Sequence, residues 1–409
     1  MKNNSIFSGK ATFWIVVILS LGTFFQLCWY GLITEQVYAQ KDFVKDIDFR
    51  AFYTGGKIAL DGNWHEVFDL GRQLEVQSQI TGRAITLNQS LPFNHPPFLL
   101  PVQWLIASAD YHTAYLLWGA FIALVNLFTG FLVFRLVLRL GWPKLAGVFL
   151  AIQVFLFYPL FVSLNKGQDS FFAILSLVIL LKGLVENREI TTGLGLAGLT
   201  LRPQLALPMA LPFLFRQRRV WWWFTGFTLV LGLYSLLVVG VKGVLGFLQL
   251  LVITASGETI LSHQKDMYNL KGLLIRLLPN LDINIISTLV WTAFLLALIG
   301  LSWLWLKSQL KELPYISVAV ILSLFVSPHL HYHDLSFLLL PSLAISLMLT
   351  AKKVISPWQA TLGLLFESIY LAIIHITPAN YWGLYLLMLA LVLLAWFAAK
   401  LPLTRENLE

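Results

Sequence analysis

The sequence alternates long apolar runs with short polar segments that are rich in lysine and arginine. The first apolar run covers residues 11–33 and the second covers residues 113–138, with a long polar stretch between them. A run of about 20 apolar residues is long enough to cross the hydrocarbon core of a bilayer as one α-helix. The pattern therefore predicts an all-α polytopic membrane protein.

Continued along the chain, the pattern predicts about twelve helical segments. The other ten cover residues 144–162, 170–185, 191–201, 205–215, 220–241, 285–306, 314–326, 335–350, 355–374 and 381–399. Residues 191–201 and 205–215 are too short to cross singly, and they predict a helical hairpin with Arg202 at its tip. Short interfacial helices are predicted within the polar stretches, over residues 96–109, 243–253 and 270–278.

The basic residues between the apolar runs predict the orientation in the membrane. Arg135, Arg139 and Lys144 surround the end of the second run, and similar clusters follow every other inward-going run. Short loops of this kind stay in the cytoplasm. Both termini are therefore expected in the cytoplasm of a cell (inner or plasma) membrane, with residues 34–111 and 242–284 outside. Because no repeat or linker interrupts the pattern, residues 1–409 are expected to form a single domain.

Composition supports this class and argues against others. Hydrophobic residues make up 58% of the chain and charged residues 12%, whereas a soluble domain averages about 25% charged residues. The net charge of +8 is explained by topology-setting loops, so no nucleic-acid partner is expected. The single cysteine, Cys28, permits no intramolecular disulfide and no thiolate metal site. The first apolar run is too long for a cleaved signal peptide and is expected to be retained.

Polar residues gather in the predicted outer connections, where ionisable groups close to lipid often mark a site. Asp46 and Asp48 share a face if the backbone there is extended but diverge if it is helical. The other connections contribute Asn94, His95, Lys166, Gln168, Asp169, Arg202, His263, Lys265, Asp266, Asn269, Lys271, His331, His333 and Asp334. Structural alternatives stay open, since Lys166 and Arg202 could merely snorkel to the interface and either aspartate could cap a turn.

The histidines of the last outer connection do not predict a metal site. His329, His331 and His333 are spaced i, i+2, whereas a helix brings residues i and i+4 together. No metal ion is therefore expected to be required.

The order of these motifs resembles glycosyltransferase family 87. Asp48-Phe49, Phe52-Tyr53 and Gly55-Gly56 are similar to its first-loop signature, and later blocks cover residues 93–97, 165–168, 195–203, 269–274 and 327–341. The resemblance implies a GT-C-type fold and transfer of a hexose, with mannose as the first expectation, from a polyprenyl-phosphate donor to an extracytoplasmic glycan or glycolipid. His95 stands where tyrosine is usual and Arg202 where lysine is common, which leaves the sugar open.

The resemblance also implies roles for single residues. Asp48 would be the catalytic base, with Asp46 as the nearby alternative. Lys166 and Arg202, with His333 as a further donor, are expected to hold the phosphate as its charge develops. The other predicted substrate-binding residues are Asp46, Asn94, His95, Gln168, Asn269, Lys271, His331 and Asp334. A single carboxylate base predicts inversion at the anomeric carbon, by analogy with hydrolases. No cofactor is expected, because the lipid-linked sugar is a substrate.

Two other functions stay open at this point. A secondary transporter would also contain broken helices such as those near Pro203 and Pro328. The polar residues lie at the ends of the predicted spans, however, and no inverted repeat is visible. The second alternative is an O-antigen-ligase-like enzyme that uses a diphosphate-linked donor.

Overall fold

The computed structural model describes residues 9–256, 267–307, 312–377 and 381–401, and every regular element in these ranges is helical. His263, Lys265 and Asp266 lie outside the described residues. The α-helices are, in chain order, α1 (Gly9–Ala39), α2 (Lys41–Val44), α3 (Phe49–Leu60), α4 (Leu70–Thr81), α5 (Leu100–Ile106), α6 (Tyr111–Arg139), α7 (Lys144–Phe155), α8 (Tyr158–Lys166), α9 (Ser170–Val185), α10 (Glu189–Gly198), α11 (Pro203–Arg216), α12 (Arg218–Ser256), α13 (Leu270–Leu277), α14 (Ile283–Lys307), α15 (Glu312–Val326), α16 (Leu339–Ala351), α17 (Pro357–Ile376) and α18 (Tyr381–Lys400).

The predicted class, an all-α polytopic membrane protein, is confirmed. Within the described ranges, 7 helical segments are long and apolar enough to cross a membrane, or 8 if the bent pair α7 and α8 forms one span. The seven are α1, α6, α12, α14, Tyr332–Ala351, α17 and α18. Each of the twelve predicted segments is helical, but α9, α10, α11 and α15 are shorter than a full span.

The bend between α7 and α8 measures 43° and sets the position at which α8 ends. Backbone groups freed by the bend are satisfied by side chains of three other helices, as is required within a membrane. Asn126 Nδ2 donates to the Phe155 carbonyl (3.0 Å), Tyr30 Oη donates to the Leu156 carbonyl (3.1 Å), and the Tyr158 amide donates to Ser368 Oγ (2.9 Å). Because α1, α6 and α17 all hold the bend, the C-terminal end of α8 is fixed relative to the bundle.

The first polar stretch, which the sequence pattern predicted as a loop with one short helix, is a folded helical layer. Residues 49–56 of α3, with Ile58 and Ala59, are all buried. A Cβ atom on Gly56 would lie 2.3 Å from the Gln103 carbonyl oxygen, so α3 and α5 pack backbone against backbone. The predicted interfacial helix over residues 96–109 is the shorter α5, preceded by a 3-10 turn at Pro97–Leu99.

The predicted helix over residues 243–253 is present as the part of α12 that follows a kink at Gly240. Gly240 has a φ of 68° and a ψ of 178°, which is a non-helical conformation that favours glycine and bends the helix there. Beyond the bend, Phe247 packs against Phe68 with ring centroids 5.2 Å apart. The bend therefore turns the end of α12 onto the first polar layer, where the sequence pattern predicted a break.

Candidate functional site

Charged side chains from four separate connections meet at one end of the bundle. His95 Nδ1 lies 2.8 Å from Asp169 Oδ2, and Arg202 Nη2 lies 2.6 Å from Asp169 Oδ1. Arg202 Nε and His333 Nε2 lie 3.5 Å and 3.6 Å from Asp334 Oδ1. These five residues, His95, Asp169, Arg202, His333 and Asp334, are called the ionic cluster below.

Asp169 is the most deeply buried member of the ionic cluster, with 1% of its side chain exposed. Burial alone raises the pKa of a carboxyl group, because it penalises the charged form. Arg202 and His95 outweigh that effect and hold the pKa of Asp169 well below its usual range. Asp169 is therefore a carboxylate that is shared between a guanidinium and an imidazole.

The turn that carries Asp169 is fixed by α6 and α3. Gly167 has a φ of 67°, and a Cβ atom there would lie 2.7 Å from the Phe49 Cβ atom. Trp118 Nε1 donates to the Gly167 carbonyl (2.8 Å), and Tyr115 Oη donates to the Asn165 carbonyl (2.6 Å). Glycine at this position lets the backbone turn and approach the first residue of α3 closely. Lys166, Gln168 and Asp169 are thereby placed beside the start of α3.

The segment that carries His95 is held by two buried glutamines of α4. Gln73 accepts from the Phe93 amide (2.8 Å), and Gln77 accepts from the Leu91 amide (3.0 Å) and donates to the Leu91 carbonyl (2.7 Å). The His95 ring then packs against Phe52 of α3, with ring centroids 4.4 Å apart. The amide side chains of α4 thus replace the backbone partners that an extended segment lacks.

Asp48 lies at the N-terminal end of α3 and is half-buried. It occupies the N-cap position, yet its side chain makes no capping hydrogen bond. Phe49, the residue after Asp48, contacts Gly167, which lies between Lys166 and Asp169, so Asp48 is close to the turn that carries both of these residues. An aspartate that leaves the helix end uncapped keeps its carboxylate available for chemistry.

Asp46 is in a different environment, so the structure distinguishes the two candidate acids. Its carboxylate is exposed and lies 2.9 Å from Arg50 Nη1 and 2.7 Å from Arg83 Nη2. Arg50 is buried and also donates to the Gln89 carbonyl (2.6 Å). Asp46 therefore neutralises a buried arginine of the first polar layer.

The three predicted cations differ in how their charge is compensated. Arg202, which was predicted to bind phosphate directly, is paired with Asp169 and lies close to Asp334. Lys166 is half-buried, and no described residue forms an ion pair or a hydrogen bond with its ammonium group. Lys271 is 3% exposed, burial lowers its pKa, and it too has no ion-pair partner among the described residues. A buried or half-buried cation that has no ion-pair partner favours the binding of an anion.

The predicted sugar-binding amides also differ. Asn269 is fully buried, caps α13 by accepting from the Gly272 amide (3.0 Å) and donates to the Ser327 carbonyl (2.6 Å). Its contacts fix the start of α13 and hence Lys271. Gln168 is 8% exposed, and its Oε1 atom has no hydrogen-bond partner within the described ranges. Asn94 is half-buried beside His95. Gln168 and Asn94 are thus better placed than Asn269 to bind a substrate.

The histidines of the last connection serve the backbone and the ionic cluster. The His331 amide donates to Asp334 Oδ2 (3.1 Å) and so starts the 3-10 turn Tyr332–Leu338. The rings of His329 and His331 lie 4.6 Å apart, and those of His331 and His333 lie 5.9 Å apart. The described part of the chain holds no group of 3 or more His, Cys, Asp or Glu side chains arranged for a metal ion. That no metal is required stays a prediction.

Asp169 is the cluster residue to which the sequence assigned no role. An aspartate directly before an apolar helix is typical of an N-cap, and that pattern conceals any other use. In the structure Asp169 does occupy the N-cap position of α9, but its side chain does not cap the helix. Its partners lie 74 residues before it and 33 residues after it in the chain, a pairing that no local pattern indicates.

Comparison with known proteins identifies the family. The family model described as glycosyltransferase family 87 matches residues 93–328, which is more than half of the chain. The match includes His95, Lys166, Asp169, Arg202 and Lys271 of the site. No curated protein and no solved structure matches the chain. Together with the apolar helices, the match shows that this chain is a membrane glycosyltransferase and belongs to glycosyltransferase family 87.

Proposed function

We propose that this enzyme transfers a hexose, with mannose as the first candidate, from a polyprenyl-phosphate carrier to an extracytoplasmic glycan or glycolipid. The observation that carries the proposal is the neighbourhood of Asp48. A half-buried carboxylate that makes no capping hydrogen bond lies close to the turn that carries Lys166 and Asp169, and Lys166 has no ion-pair partner among the described residues. Glycosyl transfer from a phosphate needs one base and one anion-binding cation in such proximity.

Asp48 acts as the general base. Its carboxylate accepts the proton of the acceptor hydroxyl while the hydroxyl oxygen attacks the anomeric carbon. Asp169 and Asp334 are held by Arg202 and by the cluster histidines, so neither is free to form a covalent intermediate. One free carboxylate with no second carboxylate as nucleophile supports inversion at the anomeric carbon.

Lys166 binds the phosphate of the donor, and Lys271 adds a second positive charge on the α13 side. The leaving phosphate gains negative charge as the glycosyl bond breaks, and an ammonium group at hydrogen-bond distance stabilises that charge. Arg202 acts less directly, because it organises Asp169 and Asp334 and so keeps His95 and His333 in place. Gln168, with its unpaired buried oxygen, binds a hydroxyl of the transferred sugar.

The site faces the outer side of the cell membrane in this proposal, and both termini are cytoplasmic. The support is a cluster of basic residues in a short loop at the end of α9 remote from the ionic cluster. Arg139, Lys182 and Arg188 surround Glu186 there, between α9 and α10. Short loops rich in arginine and lysine are retained in the cytoplasm.

The test is a transfer assay with the purified protein in lipid vesicles. Hexoses linked to polyprenyl monophosphate, polyprenyl diphosphate and a nucleoside diphosphate are offered separately with a mixture of glycolipid acceptors. We expect transfer from the monophosphate donor alone, with the anomeric configuration of the product inverted. Transfer from the nucleotide sugar in the absence of lipid carrier would contradict the proposal, and transfer from the diphosphate donor alone would favour a ligase-like enzyme.

A further inference from the structure

The hydrogen bond between His95 and Asp169 fixes which ring nitrogen of the histidine carries a proton. The distance from Nδ1 to Asp169 Oδ2 is 2.8 Å, and Asp169 is ionised at neutral pH because its pKa is depressed. A lone pair on Nδ1 would face a carboxylate oxygen at this distance and be repelled. Nδ1–H therefore donates to Asp169, as inferred from the hydrogen-bond network. Arg202 Nη1 lies 3.4 Å from Nδ1, too far to compete well.

In the neutral form of the ring, this assignment leaves Nε2 with a lone pair. No described residue forms a hydrogen bond with Nε2. Nε2 is also not fully buried, since it is not among the buried polar atoms that lack a partner. One tenth of the His95 side chain is exposed. Because Nδ1 is engaged with the buried Asp169, the nitrogen that can meet a ligand is Nε2.

The position of the ring relates Nε2 to the proposed base. His95 packs against Phe52, and Phe52 lies four residues after Asp48 at the start of α3. Residues at i and i+4 lie on one face of a helix, one turn apart. The imidazole and the Asp48 carboxylate therefore lie along the same face of α3. By contrast Lys166, assigned to the donor phosphate, ends α8, which packs against the turn Tyr332–Leu338 and against α17 of the C-terminal elements.

We propose that His95 is an acceptor-binding residue whose Nε2 accepts a hydrogen bond from a hydroxyl of the acceptor sugar, beside the hydroxyl that Asp48 deprotonates. Asp169 is a positioning residue, since it orients the ring and fixes the tautomer. The ligand class is a polyhydroxylated acceptor with at least two neighbouring hydroxyls. The inference rests on the proposed function, because it requires that Asp48 faces the acceptor.

The test uses two substitutions that each keep one end of the imidazole. The amide of His95→Asn overlaps Nδ1 and can still donate to Asp169, whereas the amide of His95→Gln reaches the place of Nε2. We expect His95→Asn to raise the acceptor KM about tenfold, the effect of losing one hydrogen bond of about 1.4 kcal/mol. His95→Gln should keep the acceptor KM within about threefold of the wild type, and the donor KM should be unchanged in both variants.

Other outcomes would overturn the assignment. If the acceptor KM is normal in His95→Asn and raised in His95→Gln, the hydrogen bond to Asp169 is the only contact of His95 that matters. A change confined to the donor KM would place His95 on the wrong substrate, and no change in either variant would remove it from the site. If His95→Asn does not fold, His95→Phe keeps the packing on Phe52 and must show the same rise in acceptor KM. A wild-type enzyme that transfers nothing from polyprenyl-phosphate hexoses would instead contradict the proposed function itself.

Discussion

At the scale of single residues, this site separates groups that look equivalent in the sequence. Asp46 and Asp48 are two positions apart, yet Asp46 neutralises arginines and Asp48 is close to the turn that carries Asp169. Lys166 and Arg202 are both cations at helix ends, yet only Arg202 has carboxylates within ion-pair distance. Function is therefore assigned by what each charge faces, and two predictions follow from that distinction.

The first concerns the base. Asp48→Asn keeps the size and burial of the side chain but cannot accept the acceptor proton, so we expect transfer to fall at least about a hundredfold. The matched control is Asp46→Asn, which weakens the pairing with Arg50 but should leave the turnover within about threefold of the wild type. Initial rates at saturating donor and acceptor provide the measurement. Full activity in the Asp48 variant combined with an inactive Asp46 variant would reverse the assignment.

The second concerns the donor phosphate. Lys166→Gln removes the cation beside His333, and we expect a higher donor KM together with a lower kcat, because the departing phosphate loses a stabilising charge. The acceptor KM should not change. Lys144→Gln, an exposed lysine at the other end of the α7–α8 span, serves as the control. Donor and acceptor are varied separately, and a defect limited to the acceptor KM would exclude Lys166 from phosphate binding.

At the scale of elements, the site depends on close backbone packing within the first polar layer. Helix α3 carries Asp48 at its start and Phe52 one turn later, and it is pressed against α5 at Gly56 and against the turn before α9 at Gly167. Side chains larger than hydrogen do not fit at these two contacts. The two glycines therefore set the distances from Asp48 to Asp169 and to Lys166.

Gly56→Ala tests this packing. The added Cβ atom would lie 2.3 Å from the Gln103 carbonyl oxygen, so α3 must shift, and we expect a loss of stability of about 1–3 kcal/mol, as is typical of overpacking. Thermal unfolding in detergent measures the loss as a lower Tm. In the control Gly226→Ala, the new Cβ atom meets no atom within 4 Å on α12, so the Tm should stay level or rise slightly. Equal Tm values for the two variants would show that α3 and α5 can adjust freely.

At the scale of the whole molecule, the bundle places polar chemistry at one end and anchoring charge at the other. Glu186 forms ion pairs with Arg139, Lys182 and Arg188 between α9 and α10. The ionic cluster, which includes Asp169, lies at the opposite end of α9. A helix of 16 residues is about 24 Å long, so the two clusters are separated by most of the thickness of a hydrocarbon core of about 30 Å. The orientation of the molecule is thus a prediction that labelling can check.

Single cysteines introduced in a Cys28→Ser background provide that check. A cysteine at Asn63, in the first polar layer, should react with a membrane-impermeant thiol reagent applied to intact cells. A cysteine at Arg218, an exposed position at the start of α12, should react only after the membrane is opened. The reverse labelling would place the ionic cluster on the cytoplasmic side and would require a donor presented there.

The sequence by itself determined the class of the protein and the place of most helices. The free-energy costs of burying apolar surface and of satisfying backbone hydrogen bonds in lipid depend on the residues of each local segment. It also indicated which connections carry Asp48, Lys166 and Arg202, because ionisable groups near lipid are costly and therefore few. Only the tertiary structure decided how these groups are paired. Asp169 meets His95 and Arg202 across long separations in the chain, and the continuation of α12 beyond Gly240 folds onto a layer that had the pattern of a loop. Pairing depends on distances between segments that are remote in the chain, and no local pattern of hydrophobic and polar residues encodes those distances.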